Sequence, residues 1–181
     1  MASVADLPQV LGRDVCTVKV APCTVGKLRH TAVLASKGEC LAVWDDDDVS
    51  HPLRLARQLP PVQRGDASAL ARVTLYRAST REVHISQKRI WEQTLVVTRE
   101  AYDRVGGYPD LQHGEDTALV QGLRGAALLD APELYIYNLH SGGTMATSPN
   151  LPDAHSFFMS RGTPASEPYA YAVRKRLEGL A

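Results

Sequence analysis

A run of four aspartates, residues 45–48, directly follows the largely apolar segment 39–44. Carboxylates held this close together repel one another, so a fold that gathers them needs a cation or a dense hydrogen-bond network. Ligands of α/β sheets bind beyond the carboxyl ends of strands, where oxygen ligands suit Mg²⁺ or Mn²⁺ that also holds a diphosphate. A solvated acidic loop is the alternative interpretation. An EF-hand loop is excluded, because its alternating ligands, central glycine and terminal glutamate are absent.

Two further positions carry groups suited to proton transfer or metal binding. Glu115 and Asp116 fall in the first turn of a predicted helix, where one carboxylate can act as general base on an acceptor hydroxyl. The alternative is an ordinary pair of carboxylates favoured by the helix dipole. His140 precedes a glycine-bearing loop, as either a structural side chain or an imidazole that completes a metal site. The sequence lacks P-loop and GxSxG motifs, which excludes those two hydrolase classes.

Alternating strands and helices position these groups and predict an α/β fold. We predict strands over residues 15–20 and 39–44, the second covered on both faces, with a helix over residues 26–37 between them. Another helix, capped by Ser50, follows the aspartates and ends at Pro60. Its apolar positions are Leu53, Ala56 and Leu59.

The second half of the chain continues the alternation of strands and helices. The predicted strands cover residues 69–76, 93–97 and 134–138. The predicted helices cover residues 99–105, with Thr98 as cap, 115–125 and 169–180. A loop rich in proline and serine is expected over residues 147–168.

The composition is typical of a soluble globular protein without a strong charge. The 181 residues include 20 Lys and Arg against 20 Asp and Glu, so no broad field attracts nucleic acid or anionic lipid. No apolar run approaches the roughly 20 residues that span a bilayer, and the first residues lack the pattern of a secretory signal. Cys16, Cys23 and Cys40 lack zinc-site or disulfide spacing. We expect a cytoplasmic protein with reduced, buried thiols, no nucleic-acid partner and no transmembrane segment.

Three segments, in order, resemble the family 2 glycosyltransferases, which have the GT-A fold. The family's helix, strand and acidic metal motif resemble GKLRHTAVLASKGECLAVWDDDDVSHPLRLARQL, with Arg29 and His30 where an Arg-Asn pair is usual. Its acceptor region, with a GG[FY] turn before a Glu-Asp pair, resembles VVTREAYDRVGGYPDLQHGEDTALVQGL. The following strand and histidine loop resemble LYIYNLHSGGT. The resemblance covers residues 15–144.

The resemblance implies a donor site for a nucleoside diphosphate sugar with Mn²⁺ or Mg²⁺. Asp46 and Asp48 would be the metal-binding pair, with Asp48 the most direct ligand and His140 near the metal or the diphosphate. Asp46, Asp47 and Arg29 would contact the donor. The metal would neutralise the leaving diphosphate during sugar transfer.

The resemblance also implies an acceptor hydroxyl on a glycan, a lipid or a small molecule, with inversion at the sugar. Asp116 would be the general base, with Glu115 beside it. Trp91 and Glu92 would line the acceptor pocket, although a buried core position for Trp91 is an equal alternative.

Members of the family begin with a strand, a helix and a second strand that build much of the base pocket. We therefore expect an N-terminally truncated, GT-A-like mixed sheet flanked by helices over residues 1–146, with a loop and C-terminal helix over residues 147–181. The strand predicted over residues 39–44 would lack a neighbouring strand on one side, unless residues 15–20 or a protein partner takes that place in the sheet. Two alternatives stay open: a non-catalytic binding or scaffold module of the same fold, and a metal-dependent phosphotransferase or hydrolase.

Overall fold

A computed structural model describes residues 17–141 and 153–179, and these contain six α-helices and nine β-strands. The strands are β1 (Cys40–Ala42), β2 (Val49–Ser50), β3 (Ala67–Leu70), β4 (Thr74–Arg77), β5 (Glu82–Ile85), β6 (Trp91–Thr98), β7 (Ala127–Leu129), β8 (Tyr135–Leu139) and β9 (Thr163–Pro164). The helices are α1 (Val25–Ala35), α2 (Arg54–Val62), α3 (Arg99–Arg104), α4 (Glu115–Gly122), α5 (Ala154–Arg161) and α6 (Glu167–Glu178).

Two sheets combine parallel and antiparallel strands. The four-stranded sheet has the order β1-β6-β3-β7, in which β3 and β7 are the parallel neighbours. The five-stranded sheet has the order β2-β8-β4-β5-β9, in which β4 and β8 are the parallel neighbours. The predicted α/β class with mixed strand directions is confirmed, with two sheets where one was expected.

Two helices, α1 and α3, each begin after a threonine whose side chain caps the helix. The Thr24 hydroxyl accepts a hydrogen bond from the Lys27 N–H at the start of α1, and Thr98 accepts one from the Ala101 N–H at the start of α3. Both helices lie close to their predicted ranges. Helix α4 is shorter than predicted, because it ends at Gly122 and the chain is extended at Leu123.

The first predicted strands differ most from the structure. Residues 17–20 are exposed and form no strand, while residues 15 and 16 lie outside the described residues. Strand β1 has only three residues, and it is half-buried to exposed where burial on both faces was predicted. The physical reason is its place at the sheet edge: β6 is its single neighbouring strand within the described chain.

The apolar pattern of α2 predicts the wrong buried side. Leu53 and Ala56 are exposed, whereas Arg54, Gln58 and Val62 are fully buried. Ser50 does not cap the helix but belongs to β2. Pro60 and Pro61 lie inside the helix, which ends at Val62. Polar residues can face inward here because they hydrogen-bond backbone carbonyls of the sheet, as described below.

The predicted strand over residues 69–76 is two strands in different sheets. Ala71 N–H donates to Leu129 O of the first sheet at 2.8 Å, and Val73 O accepts from Ser86 N–H next to the second sheet at 2.9 Å. Between them, the Arg72 guanidinium pairs with Asp130 at the surface. The charged Arg72 therefore marks the point at which the chain crosses from one sheet to the other.

The loop predicted over residues 147–168 contains helix α5. The Asp153 carboxylate caps it by accepting from the Ser156 N–H at 3.0 Å. Phe158 and Met159 are buried in an apolar cluster with Trp91, which explains why this polar-looking stretch folds. Residues 147–152 lie outside the described residues. The predicted C-terminal helix is confirmed as α6, which packs its Ala170 and Val173 against the second sheet.

The cysteines do not have the burial that the sequence suggested. Cys23 is exposed and Cys40 is half-buried, both as free thiols, and Cys16 lies outside the described residues. Their burial was predicted from residue type alone. Cys23 lies just before α1, and Cys40 lies on β1 at the open edge of the first sheet. Among residues 17–141 and 153–179, no helix has the length and apolar character needed to cross a membrane.

Candidate active site

A cleft of about 770 Å³ collects the predicted functional side chains. It is lined by the acidic loop after β1, residues 45–48, by Asp116 at the start of α4, and by His140 after β8. These segments are far apart in the sequence but meet at one opening. The volume falls within the usual range of small-molecule sites.

Asp48 anchors the acidic loop to β8. Its Oδ2 accepts a hydrogen bond from the Tyr135 hydroxyl, and its Oδ1 accepts one from the Asn138 N–H at 2.8 Å. Burial raises the pKa of Asp48 to about 7, although both hydrogen bonds oppose the rise. Because both carboxylate oxygens already have donors, the predicted role as the most direct metal ligand fits Asp48 less well than an anchoring role.

Asp47 and His140 form an adjacent carboxylate and imidazole pair. The distance from His140 Nε2 to Asp47 Oδ2 is 2.9 Å. The Asp47 backbone carbonyl accepts from the Asn138 side-chain amide at 3.3 Å, which fixes the loop next to the end of β8. The Asp47 side chain is 41% exposed, and Asp46 beside it is also exposed. All four aspartates line the cleft, and Asp46 and Asp47 are the two that are exposed.

Arg29 of α1 joins the two acidic segments. Its guanidinium lies 3.2 Å from Asp45 and 3.6 Å from Glu115. Burial lowers the pKa of Arg29, but the nearby carboxylates, led by Asp45, outweigh burial and leave it raised. Burial also raises the pKa of Asp45, against the Arg29 charge. Arg29 therefore holds positive charge between two carboxylates at the back of the cleft.

Helix α1 approaches the loop before α4 very closely at Gly26. A Cβ at this position would lie 2.0 Å from the Pro109 carbonyl oxygen, and the Gly26 N–H donates to Leu111 O at 2.9 Å. Only glycine fits at this contact. The contact fixes the distance between Arg29 and the start of α4.

Glu115 and Asp116 have different environments although they are neighbours. Glu115 is only 5% exposed, and burial, followed by the charge of Asp116, raises its pKa. Asp116 lines the cleft, and its Oδ1 accepts from the Thr117 N–H at 2.7 Å. Its Oδ2 accepts no hydrogen bond from the described part of the chain. Of the predicted pair, Asp116 is the one that can contact a substrate.

Arg54 and Tyr135 belong to the site but escape prediction from the sequence. The Arg54 guanidinium donates to Val43 O, to Ser50 Oγ at 2.7 Å and to Gln58 Oε1 at 3.1 Å. The spacing of Ser50, Arg54 and Gln58 by four residues is the signal that could have revealed this polar face. No local signal marks Tyr135.

The opposite wall of the cleft includes Glu92, whereas Trp91 has a structural role. Trp91 is 1% exposed and packs in the core, so the core alternative is confirmed for it. Glu92 lines the cleft, forms an ion pair with Arg89, and accepts from the Thr117 hydroxyl at 3.4 Å. An acidic group therefore lies beside the first turn of α4, which carries Asp116.

The exposed carboxylates of the acidic loop are the groups in the cleft that could contact a cation. Within the described chain, no three His, Cys, Asp or Glu side chains form a complete metal cluster. Mg²⁺ commonly takes only one or two protein carboxylates and completes its coordination with phosphates and water, so Asp47 and exposed Asp46 could contact such an ion, with His140 bonded to Asp47 beside them. Neither a protein-family model nor a curated protein matches the chain.

Proposed function

We propose that the chain is a glycosyltransferase, related to family 2 and with a GT-A-like fold. It would move a sugar from a nucleoside diphosphate sugar to an acceptor hydroxyl. The proposal rests on one feature: the cleft holds the pair Asp47 and His140, which two separate loops supply, together with Asp116 at the start of α4. Metal-assisted sugar transfer combines two functions, a cation-binding site beside the leaving diphosphate and a carboxylate base for the nucleophile.

The donor diphosphate would lie beside the acidic loop. Asp47 and His140 would hold Mn²⁺ or Mg²⁺, with Asp46 beside them. When bound, the metal neutralises the charge that develops on the leaving diphosphate. Asp48 supports this role indirectly, because its hydrogen bonds to Tyr135 and Asn138 keep the loop against β8.

The acceptor would enter from the side of α4. Asp116 Oδ2 would take the proton of the acceptor hydroxyl. The hydroxyl oxygen would then bond to the anomeric carbon of the sugar, while the bond from that carbon to the diphosphate breaks. The Thr117 N–H holds the other carboxylate oxygen and so orients the base. Glu115 stays behind it, paired with Arg29 at 3.6 Å.

Calorimetric titration with UDP, GDP and dTDP, each with and without Mn²⁺, tests the donor site. We expect one nucleotide to bind only with Mn²⁺, and Asp47→Asn to weaken that binding at least about tenfold, as loss of a charged ligand predicts. Asp103→Asn, which changes an exposed aspartate on α3, is the matched control and should bind like the unmodified chain. A folded chain that binds none of the three with Mn²⁺ would contradict the proposal.

A binding module that accepts a β-strand is a second candidate, favoured by the open edge of β1. Strand β1 has a neighbour on one side only within the described residues, and a groove of about 390 Å³ lies along it. Edge strands of this kind pair with strands of other chains. A stable heteromer in native mass spectrometry, together with no nucleotide binding, would favour this function over transfer.

A further inference from the structure

Trp44 is an exposed aromatic side chain at the junction of two cavities. It is 56% exposed, whereas Trp91, the other tryptophan, is 1% exposed. Trp44 lines both the groove along β1 and the cleft that holds the acidic loop. A tryptophan carries a large apolar surface, and such surface left open beside a cavity marks a place where a ligand can cover it.

Arg54 holds one face of the Trp44 ring. Its guanidinium carbon lies 4.7 Å from the centre of the ring, in a cation-π contact. Arg54 itself is fully buried and is fixed by hydrogen bonds to Val43 O, Ser50 Oγ and Gln58 Oε1. The indole is therefore supported from below by an immobile cation while much of its surface stays open to the cavities.

The edge of β1 adds hydrogen-bonding groups to the same groove. The bond from Val43 N–H to Leu95 O fixes which residues of the segment face β6. In an antiparallel pair these residues alternate, so the N–H and C=O groups of Cys40 and Ala42 point away from β6. Both residues line the groove. A flat ring that stacks on Trp44 would meet backbone donors and acceptors along its edge.

We infer that Trp44 is the stacking platform for the base of the nucleotide donor. The nucleoside would lie in the groove along β1, and its diphosphate would reach Asp47 and His140 in the cleft. The inference rests on the proposed function for the diphosphate, and it adds the part of this chain that takes the base. Trp44 directly precedes the acidic loop, so one short segment contacts both ends of the nucleotide. Stacking on Trp44 would tolerate any base. The backbone N–H and C=O groups at the edge of β1 would select among bases by hydrogen bonding.

Tryptophan fluorescence tests the platform without metal or diphosphate. Uridine, guanosine, adenosine and thymidine are titrated into the full chain, with excitation at the red edge of the tryptophan band. We expect at least one nucleoside to quench the emission saturably, because the exposed Trp44 stacks on it. Trp44→Phe should lose the quenching, since only the buried Trp91 then emits. Tyr171→Ala, at an aromatic residue that is 57% exposed outside both cavities, is the matched control and should keep it.

Absence of quenching by all four nucleosides, or quenching that persists in Trp44→Phe, would overturn the inference. Calorimetry with Mn²⁺ then tests base binding at Trp44 separately from diphosphate binding at the proposed metal site. We expect the best nucleoside diphosphate to bind about tenfold or more tightly than inorganic pyrophosphate, as base stacking predicts. Trp44→Ala should remove this difference and leave pyrophosphate binding unchanged, with the Trp91 emission as the check on folding.

Two results distinguish the platform from the diphosphate site. If pyrophosphate and the nucleoside diphosphates bind equally well to the unmodified chain, the platform is wrong while the proposed diphosphate site stands. If nucleosides quench Trp44 but pyrophosphate does not bind with Mn²⁺, the platform stands while the proposed transferase function fails.

Discussion

The two acidic segments that line the cleft, residues 45–48 and 114–117, are held in very different ways. In the first, three of the four carboxylates have partners on α1, on β8 or at His140, the residue after β8. In the second, the Asp116 carboxylate accepts one hydrogen bond, from the N–H of its neighbour Thr117. The fixed segment suits the binding of a multiply charged group, and the open carboxylate suits proton transfer. In the proposed function, separate segments would therefore supply position and reactivity.

Arg54→Met should have the largest effect, because Arg54 connects the end of β1 to α2. The substitution leaves the buried acceptors Val43 O and Gln58 Oε1 without their donor, which costs about 3–4 kcal/mol of unfolding free energy. Urea denaturation measures this loss of unfolding free energy, provided that the dependence of that free energy on urea concentration is the same in both proteins. Arg57→Met, on the exposed side of α2, should change stability by less than about 0.5 kcal/mol. Equal effects of the two substitutions would show that Arg54 does not support the first segment.

Gly26→Ala tests how the second segment is placed. Helix propensity alone predicts a gain of about 0.5–1 kcal/mol, but the new Cβ would lie 2.0 Å from Pro109 O. We therefore expect a loss of about 2–3 kcal/mol, since backbone must move. Gly65→Ala is the control, because its Cβ would be an ordinary 3.7 Å from Pro61 O. A stabilised Gly26→Ala variant would mean that α1 is not held against the loop.

The pH dependence of stability should report on Asp48. Its pKa is about 7 in the folded chain and about 3.9 when unfolded, so the folded state binds the proton more tightly between these values. Stability should fall as pH rises from about 4 to 7, by up to about 4 kcal/mol from this group, and then level off. Denaturation in EDTA, compared with Asp48→Asn, measures the difference. The same slope in Asp48→Asn would contradict the assignment.

Asp116→Asn should have the smallest effect on stability. Asp116 is hydrogen-bonded only to its neighbouring N–H within the described chain, so the change should cost less than about 0.5 kcal/mol. Nucleotide binding should be unchanged, while sugar transfer falls about 10²- to 10⁴-fold through loss of the base. Mass spectrometry of the products measures transfer. A variant that transfers sugar normally would remove Asp116 from the proposed mechanism.

Local signals predicted much of the helical structure but little of the edge. Thr98 was predicted as a cap and does cap its helix by a short-range hydrogen bond, as Thr24 also does. The inward side of α2 depends on the carbonyls of Val43 and Thr94, which are 11 and 36 residues from their donors. Apolar periodicity therefore predicted the wrong face, because the burial of Arg54 is decided by tertiary contacts.

The sequence predicted which segments form the candidate site, but it did not predict the contacts between them. The aspartates, Asp116 and His140 were each identified from their place at the end of a strand or the start of a helix, and the cleft contains all of them. The hydrogen bonds and ion pairs that fix some of these aspartates and leave Asp46 exposed could not be predicted. Asp48 meets Tyr135 and Asn138 across 87 and 90 residues, and nothing local to either end encodes that pairing.

The crossing at Arg72 has a consequence for cooperativity. Strands β3 and β4 are consecutive, yet one is central in the first sheet and the other is central in the second. Leu70 and Val73, on either side of the crossing, are fully buried in one apolar cluster. Neither sheet can open without pulling a central strand from the other, so the two should melt together in a single calorimetric transition. We therefore expect the described part of the chain to unfold as one thermodynamic unit that contains two sheets.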